Sequence, residues 1–249
     1  MTTTLADIVA EGERLLDLAD EAGVDLRLLG GVAVRMRAPQ IPPALDREYK
    51  DLDFAIRKKS AGALDSLLRE AGYEPHVTFN AMNARERALY LDESQGRQVD
   101  VFIESFRMCH EIDLGKRLAM EPRTLPLAEL LLTKLQIIEL NEKDVRDTVL
   151  LLHGHDVAEA DGDTVNSARI AELCASDWGV WRTITANLDS CRQRVEGYAL
   201  EPPERERVAA RVGALLDRIE AEPKSRGWRR RAKVGDRKPW YELPEEVAR

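Results

Sequence analysis

Three aspartates and a pair of glycines are the residues of this 249-residue chain whose types and spacing best suit chemistry. Asp51 and Asp53 stand two apart in KDLDFAI, so on a strand both carboxylates leave the same face. Asp100, in QVDVFIE, lies on a later apolar strand and joins them if the two strands are neighbours. Three carboxylates on one sheet face repel one another strongly unless a divalent cation neutralises them, and hard oxygen donors of this kind suit Mg²⁺ holding a triphosphate. Gly30 and Gly31, in LLGGVAVRM, fall at a strand-to-helix turn, where backbone N–H groups can approach a phosphate unobstructed. Each piece alone has a plainer reading, a turn or a solvated strand edge. In this order they describe a phosphoryl-transfer site.

The elements that must position these residues follow from periodicity and punctuation. Apolar positions from Leu5 to Leu18 recur among acids at a helical period, and Gly23 ends that helix. Asp25–Leu29 reads as a short strand, Val32–Arg37 as a brief helix, and Asp51–Ile56 as a half-buried strand. Ser60 can cap a helix that Gly72 terminates. Ala88–Asp92 and Gln98–Ile103 flank SQG as a hairpin, with Val99, Val101 and Ile103 on one face and Asp100 and Phe102 on the other. After about residue 105 helical patterns take over. Pro126 opens LAELLLTKLQIIEL, a second apolar run follows in DTVLLLHG, and DVAEADGDTVNS reads as a loop. Ala168–Leu188 and Pro203–Ile219 complete the set as two further helices. Strands first and helices second predict an α+β fold, a small mixed-sheet domain followed by a helical C-terminal domain.

The order Gly-Gly, short helix, Asp-x-Asp and third acid resembles the nucleotidyltransferase superfamily related to DNA polymerase beta, over about residues 25 to 104. Gly-Gly-Val-Ala-Val-Arg followed by Arg-x-x-Lys-Asp-Leu-Asp is most similar to its small bacterial branches, the antibiotic nucleotidyltransferases and the AbiEii-type toxins. The resemblance implies two Mg²⁺ ions that support in-line attack of a hydroxyl on the α-phosphate of an NTP, ATP among them, with release of pyrophosphate. It implies that Asp51 and Asp53 bind the nucleotide-associated metal. Asp100 would share the second metal and help deprotonate the attacking hydroxyl. It further implies that Gly30, Gly31 and Arg47 contact the nucleotide. The order of elements and the placing of charge divide the chain into a catalytic domain (1–118), a helical domain (119–222) and a basic tail (223–249).

A second constellation lies in the helical region. Lys134 interrupts an otherwise apolar helix, so its stem is expected to be partly buried with the ammonium directed at an anion. Asp144 and Asp147 share a helical face by the i, i+3 rule, and either can orient Lys134 or Arg146. The AbiEii-type proteins look similar here, and there the lysine contacts nucleotide phosphates. That implies the same role for Lys134, with Asp144 and Asp147 beside it.

The net charge of −8 is an average of opposing parts. From Lys224 to Lys238 there are eight bases against one acid, Asp236, a local +7, so subtracting it from −8 leaves −15 for the rest. The segment interleaves Trp228, Trp240 and Tyr241 with its cations, residue types that track a phosphate backbone and stack on bases. RNA, for example a tRNA acceptor end, is therefore the preferred acceptor, and the toxin-like resemblance adds a small antitoxin as partner. A small acceptor such as an antibiotic, or a non-catalytic binding protein keeping the fold, are the rival readings.

Three widely spaced cysteines, Cys109, Cys174 and Cys191, argue against a disulfide framework. With no run approaching the roughly 18 apolar residues of a membrane span and no secretory pattern at the amino terminus, a cytoplasmic protein without a membrane partner is expected. Cys174, Met108–His110, Trp178 and Trp181 read as packing residues, and His153 and His155 as loop residues.

Overall fold

The computed structural model describes residues 3–243 and has an α+β fold, a five-stranded mixed sheet with helices around it followed by a predominantly helical part. It separates into two compact units. The first comprises the chain up to Arg37 together with Glu48–Arg107 and Ile112–Pro126; the second comprises Ala38–Arg47, Met108–Glu111 and the chain from Leu127 onward.

The first unit begins with α1 (Ile8–Glu21), whose first turn is capped by the Asp7 carboxylate accepting from the Ala10 N–H at 2.8 Å. Then follow β1 (Arg27–Leu29), α2 (Gly30–Arg37), β2 (Asp51–Ile56), α3 (Ala61–Glu70), β3 (Glu74–Pro75), α4 (Val77–Asn83), β4 (Arg87–Asp92), β5 (Arg97–Ile103), β6 (Ser105–Arg107) and β7 (Glu111–Asp113), the last of which belongs to this unit from Ile112 onward. The sheet order is β1-β2-β5-β4-β3, and β6 pairs with β7 separately. β2 and β5 run parallel, while β1/β2, β4/β5 and β3/β4 are antiparallel.

The register puts Leu28, Leu52, Phe54, Val99 and Val101 on one face, all buried. Gly12 lets α1 lie against that face: a Cβ there would sit 3.3 Å from Leu52 Cδ2. Burying five such side chains stabilises the sheet by roughly 1.5–3 kcal/mol each. The other face carries Asp51, Asp53 and Asp100, each only partly exposed.

The second unit holds α5 (Leu127–Leu135), α6 (Glu142–Gly154), the parallel pair β8 (Asp156–Ala158) and β9 (Thr164–Asn166), α7 (Ser167–Ser176), α8 (Trp178–Arg194), α9 (Pro202–Ala221) and α10 (Arg226–Ala232). The helix expected from Pro126 stops at Leu135 instead of continuing through IIEL. The Asn187 side chain donates to the carbonyls of Leu135 and Ile137 at 2.7 and 2.6 Å, satisfying groups that a helix end leaves open. Ala168–Leu188 is two helices, because Asp177 turns extended and its Oδ1 accepts from the N–H groups of Gly179 and Val180 to cap α8. The segment DVAEADGDTVNS is not wholly loop, since it contains β8 and β9. Ser60 precedes α3 but makes no side-chain cap, being the last residue of a 3-10 turn.

The two histidines expected in a loop are buried. His153 is on the last turn of α6, 2.9 Å from Glu204, and His155 caps that helix with Nδ1 3.2 Å from the Asp163 carbonyl. The three cysteines are free and buried. Burial pushes the thiols of Cys174 and Cys191 up to about 12, which keeps both protonated and unreactive at neutral pH. Among the described residues no helix is long and apolar enough to cross a membrane.

Candidate active site on the first unit

Parallel pairing of β2 with β5 brings the expected aspartates together. Asp53 and Asp100 are direct register partners, Leu52 faces Val99, and Asp51 faces Gln98. In-register residues of neighbouring strands point to the same side, with strands about 4.8 Å apart. Asp51, two residues before Asp53, shares that side. The three carboxylates expected from the sequence thus occupy one patch of one sheet face.

Gly30 closes one side of the patch. Its φ of +69° lies in the left-handed region, and a Cβ at this position would come within 2.8 Å of Asp53 Cγ and closer still to its Oδ2. Only glycine lets the start of α2 approach the Asp53 carboxylate this closely. The partial positive charge of a helix N-terminus favours an anion there. Gly31 follows on the same turn, partly exposed.

Asp100 has a partner that the sequence reading missed. Arg87 Nε and Nη2 donate to its two oxygens, each at 2.7 Å, a bidentate pair. The guanidinium carbon also lies 5.5 Å from the Phe79 ring centroid and 5.1 Å from that of Phe102. Burial disfavours the charge on Arg87, but its hydrogen bonds to Asp100 and the negative fields of Asp100 and Asp53 outweigh it and raise its pKa. A signal for this pair was available in the hairpin: β4 and β5 place Leu89 opposite Asp100, so Arg87, two residues earlier, shares the aspartate face.

Among the described residues no three His, Cys, Asp or Glu side chains form a ready-made metal cage. The donor type of the patch, carboxylate oxygens on one sheet face, suits a hard divalent ion, which would have to share Asp100 with Arg87 because that guanidinium occupies both of its oxygens.

The second constellation belongs to the helical unit. Lys134 Nζ lies 2.8 Å from Asp147 Oδ2 and 3.4 Å from Asp144 Oδ1. Arg47 grips Asp147 in a bidentate pair, Nε to Oδ1 at 2.8 Å and Nη2 to Oδ2 at 2.7 Å. Asp147, 1% exposed, is therefore the hub that holds both cations. Burial raises its pKa, but Lys134 and Arg47 overcome that and hold its carboxyl below the usual range. Asp144 differs: burial dominates, and its pKa is raised despite Lys134. Arg146, a possible partner for either acid in the sequence, pairs instead with Glu142 at 3.0 Å.

No protein-family model and no curated protein sequence matches the chain. A solved structure of the antibiotic-resistance factor ANT(2'')-Ia is similar over 57% of this chain and 81% of that one, with 14% sequence identity and a TM-score of 0.41.

Proposed function

We propose that the chain transfers a nucleoside monophosphate from an NTP to a hydroxyl acceptor. The observation that carries this reading is the register of Asp53 with Asp100 on parallel strands, with Asp51 on the same face and Gly30 against the Asp53 carboxylate. Asp51 and Asp53 would hold the nucleotide-associated magnesium and Asp100 the second. Bound there, the two ions would supply charge stabilisation at the phosphate and ease deprotonation of the attacking hydroxyl.

The remaining roles belong to the chain itself. Asp100 accepts the hydroxyl proton or directs it away, since it is the carboxylate of the patch on the strand beside the Asp51/Asp53 pair. The backbone N–H groups at Gly30 and Gly31 bind phosphate oxygens at the start of α2. Within the helical unit, Lys134 and Arg47 are proposed as phosphate-binding cations, held in fixed orientation by Asp147, with Asp144 a second carboxyl for Lys134. RNA, such as a tRNA end, is the acceptor we favour, with the activity serving as the toxin of a toxin-antitoxin pair.

The test is incubation with radiolabelled NTPs and Mg²⁺ in the presence of total tRNA or of a panel of antibiotics. Label is expected in RNA and to fall at least a hundredfold in Asp51→Asn and Asp100→Asn, the usual scale for losing a metal ligand. Label only in small molecules would overturn the RNA acceptor. No label in either, with the same absence in both variants, would overturn transfer altogether. The toxin role predicts growth arrest by the unaltered chain and none by Asp100→Asn.

A further inference from the structure

The basic segment is a folded element with two different sides. Ser225 caps α10 by accepting from the Trp228 N–H at 3.0 Å. Trp228 packs edge-on against Trp181 of α8, with centroids 5.2 Å apart, and Trp240 packs likewise against Trp178 at 5.9 Å. Trp240 Nε1 donates to Thr183 Oγ1 at 3.2 Å. Arg231 lies over the Trp178 ring at 4.6 Å and donates to the carbonyls of Gly235 and Lys238, both at 2.7 Å. The aromatic side chains of the tail, expected from the sequence to stack on bases, are occupied with one another and with α8. Residues 244–249 lie outside the described ones.

The opposite side of α10 is cationic. Arg226, Arg229, Arg230 and Lys233 are all exposed and follow the i, i+3, i+4, i+7 spacing of one helical face. Among the described residues none of the four has a carboxylate within ion-pairing distance. The one acid of the segment, Asp236, is directed to Arg182 at 3.5 Å. Like charges at these spacings repel one another along a helix. The tryptophan packing holds them together regardless, about 10 Å from first to last at 1.5 Å per residue.

We propose that the Arg226, Arg229, Arg230 and Lys233 face of α10 is a docking surface for the phosphate backbone of an RNA acceptor, engaged through charge and without base stacking. A membrane surface fits less well, because a helix lying in a lipid interface buries large apolar side chains, and Trp228 is already spent against Trp181. The proposal deepens the nucleotidyl-transfer reading and rests on it for the word acceptor. Binding is therefore measured separately from transfer.

The experiment follows fluorescence anisotropy of a labelled single-stranded RNA of mixed sequence with the full chain, without NTP and with a chelator present. The salt concentration is varied. Removing four phosphate contacts is expected to reduce the slope of log K against log salt by about 3, at about 0.7 per contact for single strands. Accordingly Arg226→Gln/Arg229→Gln/Arg230→Gln/Lys233→Gln should weaken binding at least tenfold at moderate salt, with an unchanged circular dichroism spectrum. If that variant loses its fold, the exposed pair Arg229→Gln/Arg230→Gln replaces it, with a slope change of about half. Equal affinity for poly(U) and poly(A) of one length is expected, and a tenfold preference for either would overturn the stacking-free mode. Unchanged affinity and slope in the charge variants would overturn the surface itself. Stronger binding to phosphatidylserine vesicles than to RNA would overturn the choice of partner. Transfer to RNA without binding at this face would leave the nucleotidyl-transfer reading standing and remove only this one. Binding without any transfer would remove the acceptor role and leave a phosphate-binding surface.

Discussion

Arg87 holds both carboxylate oxygens of Asp100 at 2.7 Å, so the aspartate that completes the acidic patch is bound by a cation of its own chain. The pair is only partly exposed, at 19% and 14%, and the arginine is further held by Phe79 and Phe102. It is thus better screened from water than a surface ion pair. Arg87 remains charged because the fields of Asp100 and Asp53 outweigh its burial. The patch as folded carries three carboxylates and one guanidinium.

Arg87 therefore competes with any metal ion for Asp100. Hydrogen bonds to charged groups contribute about 1.5–3 kcal/mol each way. Arg87→Gln should accordingly tighten Mn²⁺ binding by roughly 10- to 100-fold, at about 1.4 kcal/mol per tenfold. Electron paramagnetic resonance of free Mn²⁺ reads this directly. Weaker Mn²⁺ binding in the variant would instead mean that Arg87 serves to hold Asp100 in position.

Gly30 is constrained twice, by its left-handed backbone and by the Asp53 carboxylate beside it. Gly23 has nearly the same φ, +66°, but a Cβ there meets nothing within 4 Å. The two glycines separate backbone strain from crowding. Gly23→Ala should cost about 1–2 kcal/mol, the left-handed penalty alone. Gly30→Ala should cost more and should also weaken Mn²⁺ binding, because Asp53 must move. Urea midpoints at constant m value measure the first effect, and equal losses for the two variants would show that Asp53 yields at little cost.

The sequence alone carried the acidic patch because strand periodicity and residue type decide it. Asp51 and Asp53 had to share a face, and Asp100 had to join them once β5 lay beside β2. The pairing itself is a tertiary fact. β5 could equally have paired only with β4, and no local pattern excludes that. Arg87 escaped notice because its role depends on a diagonal contact across the hairpin. The tail shows the converse failure: Trp228 and Trp240 have the composition of a base-stacking surface, yet their partners, Trp181 and Trp178, come from a helix about fifty residues away in sequence. The end of α5 was illegible for a similar reason, since Asn187 supplies the bonds that stop it.

The Asp147 hub gives two pH dependences of opposite sign. Asp147 has a depressed pKa, so its contribution to stability is complete above the ordinary value of 3.8 and is lost as pH falls through that value toward the lowered one. Removing one partner of a buried pair costs about 3–5 kcal/mol, because the other charges stay buried. Asp147→Asn should therefore be destabilised by that order at pH 7, with Arg47 and Lys134 left facing an amide, and the gap to the unaltered chain should narrow below pH 3.8. Asp144 has a raised pKa because burial disfavours its ionised form. Its protonated form contributes stability at low pH that is lost as pH rises from 3.8 through the raised value. Asp144→Asn removes that loss, so its stability relative to the unaltered chain should increase with pH over the same interval and then level off. Urea denaturation of the three chains from pH 3 to 8 measures both. Parallel curves for the two variants would mean that Asp144 and Asp147 share one charge, and that Lys134 does not distinguish between them.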